Sequence, residues 1–323
     1  MTEAGYYLDS FLAPLAPWLE RADITDIWIN QPGELWIEAL GGAIERHEDA
    51  SLTEGLLRRL ATQIAAFGSQ GISRAQPLLS ASLPDGSRVQ VVAPPATRVG
   101  HVFAIRRHVA SDLSLADWED EEAFEGLTSG EANIESEPSW RSVGESEAGT
   151  ILREAVTSRR NVIVAGGTST GKTTFLNALL AEIPKHERLI TIEDTEELRL
   201  KHANAVGLIA ARGSISEAQV SAEDLLIAAL RMRPDRIILG ELRGHEAFTF
   251  LRAINTGHPG SMTTIHADTP QRAIEQLALL VLQAGSRLAR DDVRDYVRQS
   301  IDVFVQLERR DGRRRVSQVL VRN

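Results

Sequence analysis

Apolar and polar positions follow two different rhythms along this chain. Over about residues 1–108, short alternating runs surround one long amphipathic stretch. Residues 24–30 and 34–38 alternate around Gln31-Pro32-Gly33, which predicts a β-hairpin. Residues 52–67 carry apolar side chains at helical spacing, and Ser51 with Glu54 three residues on reads as a capping box opening that helix. Residues 88–92 and 102–107 predict two further strands, joined across Pro94-Pro95. This part is expected to be a small α+β domain, and it holds no catalytic constellation.

From about residue 149 the rhythm changes. Short apolar runs at 162–165, 189–192, 237–239 and 262–265 alternate with segments of helical period. That alternation predicts βαβ units, hence an α/β domain over 149–323 with a mainly parallel sheet and helices on its faces. Two last strands, at 303–308 and 316–321, flank Asp311-Gly312, a hairpin signal. The arginines around that turn (Arg309, Arg310, Arg313, Arg314, Arg315) read as an exposed, solvated tip, with acidic headgroups or nucleic acid as the alternative.

Between these parts, residues 109–148 lack regular apolar spacing and are rich in Ser, Gly and Glu, so they predict an acidic, solvated linker. A folded segment or a docking site for a basic partner is the other reading. The charge supports a local origin for the chain's acidity. Net charge is −10, yet residues 111–150 alone hold twelve acids against Arg141, leaving the remainder near neutral. A near-neutral body offers no electrostatic case for wrapping DNA.

Composition narrows the class. At 323 residues the chain suits about two domains of roughly 150 residues each. With 43% apolar and 25% charged residues it is neither disordered nor fibrous. The absence of cysteine excludes disulfides, thiolate metal sites and thiol catalysis. No apolar run approaches the roughly 18 residues a membrane-spanning helix needs. The N-terminus carries Glu3 and Asp9 without a basic region before an apolar run, so no signal peptide is read and a cytoplasmic location is expected.

The strongest chemistry lies in Gly166, Gly167, Thr168, Ser169, Thr170, Gly171, Lys172 and Thr173, which fit G-x-x-x-x-G-K-[ST]. Glycines let such a loop curl so that successive backbone N–H groups face phosphate oxygens, and the following helix adds its positive end. Lys172 would reach the β- and γ-phosphates, while the Thr173 hydroxyl would coordinate Mg2+. An apolar strand precedes the loop and a helical pattern follows it, as the motif requires. The chain uses 32 arginines and only three lysines, so a lysine here points to a compact charge for phosphate. The loop predicts a nucleoside triphosphate site.

Three later segments each end an apolar strand in a polar group: Glu193 and Asp194 after 188–192, Glu241 after 236–239, and His266 after 262–265. In a doubly wound sheet such ends converge where ligands bind. Phosphoryl hydrolysis needs a metal-holding carboxylate, a group that orients water and a contact to the γ-phosphate, and these segments can supply them.

Taken together, the strings GGTSTGKTT, RLITIEDTEEL, RPDRIILGELRG and NTGHPGSMTTIHAD resemble the secretion ATPase superfamily, as its Walker A motif, Asp box, Walker B motif and His box. The wording ELRGHEAFTFLRAINTGHPG and AIEQLALLVLQAG looks most like the VirB-type traffic ATPases of bacterial type IV secretion and conjugation systems. The likeness is close over 149–323 and looser over 1–108, at LPDGSRVQVVAPP and VFAIRRHV.

That resemblance implies a RecA-like P-loop ATPase domain behind the smaller N-terminal domain, hydrolysing ATP with Mg2+. It implies that residues 166–174, through Thr174, cradle the phosphates. Glu193 would be the general base or water-orienting group, Glu241 would act at the metal through water, and His266 would touch the γ-phosphate. Arg88 and Arg106, the latter in competition with Arg107, would close over the nucleotide between the domains. It further implies a homohexameric ring, peripheral on the cytoplasmic face of the inner membrane. The partners would be other type IV secretion components, and a translocated protein or DNA–protein substrate; no sequence-specific nucleic-acid binding is expected. Gly240 stands where the general Walker B pattern has Asp, leaving the roles of Glu193, Asp194 and Glu241 open. A pilus extension or retraction motor, a type II secretion motor, a nucleotide-gated assembly scaffold with little hydrolysis, and a DNA helicase are the alternatives.

Overall fold

A computed structural model describes residue 8 and residues 10–40, 42–107, 113–132, 139–210, 220–310 and 312–323. These form two compact units, one holding the described residues up to Arg107 and the other those from Leu113 onward.

The first unit is an antiparallel sheet with one long helix. In chain order it contains β1 (Ile24–Ile29), β2 (Glu34–Ala39), β3 (Ile44–Glu48), α1 (Glu54–Phe67), β4 (Leu78–Ser82), β5 (Arg88–Val92) and β6 (Val102–Arg106). The strands lie in the order β3-β2-β1-β6-β5-β4. The β1–β2 hairpin pairs across Pro32-Gly33 as its alternation demands. The α1 cap differs from expectation. Thr53 rather than Ser51 is the capping residue, its hydroxyl accepting from Leu56 N at 3.2 Å. Ser51 is already engaged with Asp49 at 2.6 Å, and Glu54 leaves the helix end to meet His101 Nδ1 at 2.7 Å. Thr53→Ala is expected to cost about 1 kcal/mol in urea unfolding, and Ser51→Ala much less.

The second unit runs α2 (Leu115–Asp120), β7 (Gly130–Ala132), β8 (Trp140–Ser142), α3 (Ala148–Thr157), β9 (Val162–Gly166), α4 (Lys172–Ala181), β10 (Leu189–Glu193), β11 (Ala205–Ile209), α5 (Ala222–Ala229), β12 (Arg236–Leu239), α6 (Glu246–Asn255), β13 (Met262–Ile265), α7 (Pro270–Gln283), α8 (Arg290–Ser300), β14 (Val303–Arg310) and β15 (Arg313–Arg322). Its strands form one sheet ordered β11-β10-β12-β13-β9-β14-β15-β8-β7. From β11 to β14 the neighbours are parallel, and from β14 onward antiparallel. Alternate residues of β9 go to opposite cores: Val162 and Val164 join α2, α3 and α4, while Ile163 and Ala165 join α5 to α8. A strand buried on both faces explains the unbroken apolar runs. Asp311, half of the expected turn signal, lies outside the described residues, but β14 and β15 pair as that signal predicted.

The segment expected to be a solvated linker is instead part of this unit wherever it is described. Ser114 and Asp117 form a capping box that starts α2. Leu115 and Trp118 are buried, and the Trp118 ring stands edge-on to Phe175 at 4.9 Å and 81°. Phe124 and Leu127 join the same core, and β8 adds to the sheet through β15. Three of the acids that disguised this fold lie on its outer surface and are paired: Glu119 with Arg153, Glu125 with Arg315, Glu147 with Arg141. Leu115→Ala is therefore expected to lose about 2–4 kcal/mol of unfolding free energy. A loss under about 0.5 kcal/mol would mean an exposed residue.

Candidate active site

The phosphate loop connects β9 to α4, whose first residue is Lys172. Its backbone takes left-handed values at Ser169 (φ 60°) and at Gly171 (φ 92°), a curl of the kind that turns N–H groups to one side. Thr170 ties the loop to itself, its hydroxyl donating to Gly167 O at 2.9 Å. Lys172 is only 8% exposed and folds back so that Nζ donates to Gly167 O at 2.7 Å.

Parallel pairing then sets the other groups at the same edge. β13 pairs with β9 and β12 with β13, so His266 and Glu241, just past the ends of β13 and β12, stand beside the loop. Lys172 Nζ lies 3.5 Å from His266 Nδ1, and His266 Nε2 lies 3.0 Å from Glu241 Oε1. An ammonium can only donate, so Nδ1 is the acceptor and the ring proton belongs on Nε2. The approach to Glu241 is close but not aligned as a hydrogen bond, and Glu241 Oε1 is buried without a hydrogen-bond partner. Burial holds the His266 imidazole below its usual range; Glu241 pulls the other way, while Lys172 and Arg243 add to the lowering. His266 thus meets this site as a neutral ring at neutral pH.

Arg243 completes the cluster, a residue that no motif of the sequence singles out. Its guanidinium donates to Glu241 Oε2 at 2.5 Å and to Asp194 Oδ2 at 2.9 Å, joining the strand ends of β12 and β10. The hydrogen bond it donates to Glu241 carries the arginine above its usual range. Its place two residues after Glu241 was the available signal. Glu193 ends the neighbouring strand β10. It is 7% exposed, and its Oε1 accepts the backbone N–H of Glu197 and Leu198, each at 2.9 Å. Glu193 also accounts for Gly240: a Cβ on that glycine would sit 3.2 Å from Glu193 Cγ, so an Asp there would press on it.

The remaining sequence candidates lie in the first unit. Arg88 and Arg106 are register partners on β5 and β6, and Arg106 Nε pairs with the buried Asp26 at 3.0 Å. Arg107 is committed elsewhere, donating to the carbonyls of Arg21 and Ile24. The arginine tip is only partly solvated: Arg315 pairs with Glu125, and Arg314 lies half-buried against Gly171.

Among the described residues no helix is long and apolar enough to cross a membrane. None of their His, Asp and Glu side chains gather in threes as a metal cage.

Residues 129–316 match the family described as Type II/IV secretion system protein. Type IV secretion system protein PtlH of Bordetella pertussis is 42% identical over 331 residues, covering 98% of this chain and 95% of that protein. The crystal structure of the VirB11 ATPase of Brucella suis, in complex with sulphate, superposes with a TM-score of 0.50 at 36% identity, covering 98% of this chain and 95% of that one. The pilus retraction motor PilT, with bound ADP, shares the fold at a TM-score of 0.61 but only 20% identity, covering 97% of this chain and 82% of its own. The fold alone therefore does not separate motor from secretion protein; sequence does. On the 42% identity that spans both chains nearly end to end, and the family match across residues 129–316, this chain belongs to the Type II/IV secretion system protein family.

Proposed function

We propose that this chain hydrolyses ATP to ADP and phosphate and thereby energises a bacterial type IV secretion system, acting as a homohexamer on the cytoplasmic face of the inner membrane. The work would be the passage of protein or DNA–protein substrates, pilus assembly, or both, beside other components of the apparatus. The observation that carries the reading is the chain of groups Lys172, His266 and Glu241 at the carboxyl edge of β9, β13 and β12. Its identity to PtlH and VirB11 proteins, against 20% for PilT, favours secretion over the pilus motor.

The residues divide the chemistry as follows. Loop residues 166–174 hold the phosphates through backbone N–H groups, and Lys172 neutralises the β- and γ-phosphates. His266, as a neutral ring, hydrogen-bonds the γ-phosphate. Glu193 orients the attacking water and takes its proton as the bond from the β,γ-bridging oxygen to phosphorus breaks. Arg88 and Arg106 carry the guanidinium chemistry that grips phosphoryl charge. Mg2+ fits the donor set: the Thr173 hydroxyl, phosphate oxygens and, through water, the buried unpartnered Glu241 Oε1 are hard oxygen ligands. Such an ion would neutralise charge developing on the phosphates.

The test compares wild type with Glu193→Gln for ATP turnover, nucleotide binding and oligomer size with and without ATP. Glu193→Gln is expected to bind nucleotide and form the wild-type oligomer while turning over about 10²-fold more slowly. Unchanged turnover would remove Glu193 as the base, and nucleotide binding without measurable turnover in wild type would move a nucleotide-gated scaffold ahead. Turnover that rises only with DNA would favour the helicase.

A further inference from the structure

The terminal hairpin runs beside the phosphate loop. Leu307 of β14 pairs with Gly166 at the end of β9, so the hairpin residues beyond it pass the edge where the loop begins. Arg314, the register partner of Arg309, lays its side chain on Gly171. A Cβ on that glycine would meet Arg314 Cδ at 2.9 Å and Nε at 3.5 Å, with Cη2 of Trp118 also at 3.5 Å. Arginine stem and indole thus both touch the residue that immediately precedes Lys172.

We propose that Arg314 is a nucleotide-binding residue, whose guanidinium grips the phosphate chain of the nucleotide held by residues 166–174. The inference rests on the phosphate-loop reading above and adds to it a charge from the far end of the sequence.

Three features support it. Arg314 is half-buried and has no hydrogen bond or ion pair with another described residue. Burial holds its guanidinium below the usual arginine range, Arg309 pushes the same way, and Glu121 opposes both. A partly desolvated cation that forms no ion pair with a described residue is costly, and an incoming anion removes that cost. The ligand class follows from shape: a planar fork of N–H donors matches phosphate oxygens in pairs, which a lysine does not. The contact with Gly171 places this fork beside the very loop whose N–H groups would bind those oxygens. Trp118 backs the arrangement with a ring wedged between Phe175 and the loop.

The test uses the full chain and three ligands: Mg-ATP, Mg-ADP and inorganic tripolyphosphate, with binding followed by calorimetry. Arg314→Met keeps the apolar stem against Gly171 and Trp118 but removes the charge, while Arg314→Lys keeps the charge and loses the fork. Arg314→Met is expected to weaken all three ligands about 10–100-fold at an unchanged melting temperature. Arg314→Lys should recover part of the loss. Wild-type affinity in Arg314→Met would reduce Arg314 to packing and overturn the proposal. Loss for ATP and ADP with tripolyphosphate unaffected would also overturn it, since the guanidinium would then be reading the base or ribose. Lys172→Ala separates this from the underlying reading. If it binds nucleotide like wild type, the phosphate loop itself is misassigned; if it fails to bind while Arg314→Met binds normally, only the present inference falls.

Discussion

Lys172→Ala is expected to hydrolyse ATP at least about 10³-fold more slowly than wild type and to lose most of its nucleotide affinity, while melting within a degree or two of it. The size follows from what surrounds the ammonium. It is 8% exposed, donates to the neutral carbonyl of Gly167, and stands at the head of α4 next to His266. A γ-phosphate entering the loop offers it a charged acceptor instead, and charge-assisted hydrogen bonds are roughly twice as strong as neutral ones. Because phosphoryl transfer gathers charge on the transferred oxygens, a preorganised cation in a partly dry site acts on the barrier as well as on binding. Lys172→Arg is the informative companion. This chain uses arginine almost everywhere, yet the pocket around Lys172 admits a narrow ammonium, and a broad planar guanidinium would have to displace Gly167 or His266. It is expected to stay at least about 10-fold below wild type. Retention of a tenth or more of wild-type turnover by Lys172→Ala would refute the phosphate-loop assignment.

The parts of this site that sequence revealed are those whose chemistry is compressed into neighbouring residues. The curl at residues 166–171 needs glycines, the strand before it is buried on both faces and so unbroken in its apolar run, and the lysine is rare by composition. Glu193, Glu241 and His266 were legible because each follows an apolar strand. What stayed hidden depends on residues far apart in the chain. Arg314 meets Gly171 through the pairing of β14 with β9, which no local pattern announces. Arg243 joins Asp194 to Glu241 across two strand ends, and within ELRG it looks like any exposed arginine. The acidic segment misled for a different reason. Its density of Glu and Asp signals solvation, but Leu115 and Trp118, three apart on one helical face, and Phe124 and Leu127 beyond them are enough to bury it. Charge on an outer face says nothing against an apolar inner one.

The largest stability effect is expected at a pair the site does not use. Arg236 opens β12 and is fully buried; it donates to Glu187 through Nε at 2.6 Å and through a terminal nitrogen at 2.9 Å, and to Val156 O at 2.7 Å. Glu187 is itself 3% exposed at its side chain, with Arg159 adding a longer contact at 3.5 Å. Arg236→Met leaves that carboxylate buried without its main partner and is expected to cost about 3–5 kcal/mol. Replacing both partners, as Arg236→Met with Glu187→Leu, should recover most of the loss, because the stranded charge is what costs. The pH dependence has a definite sign. Burial pushes the Glu187 carboxyl up, but hydrogen bonds and charge from Arg236, with Arg159 behind it, carry it below its ordinary value near 4.5. The pair's contribution is therefore complete above that value and is lost as pH falls through the lower folded one. Without Arg236, burial dominates and protonation relieves the mutant instead. The gap between wild type and Arg236→Met should thus be widest near neutrality and narrow on acidification, a comparison made by urea unfolding at both ends of the range. A gap under about 1 kcal/mol at neutral pH, or one that widens in acid, would mean that Glu187 finds its counter-charge elsewhere and that the amino end of β12 is held by packing alone.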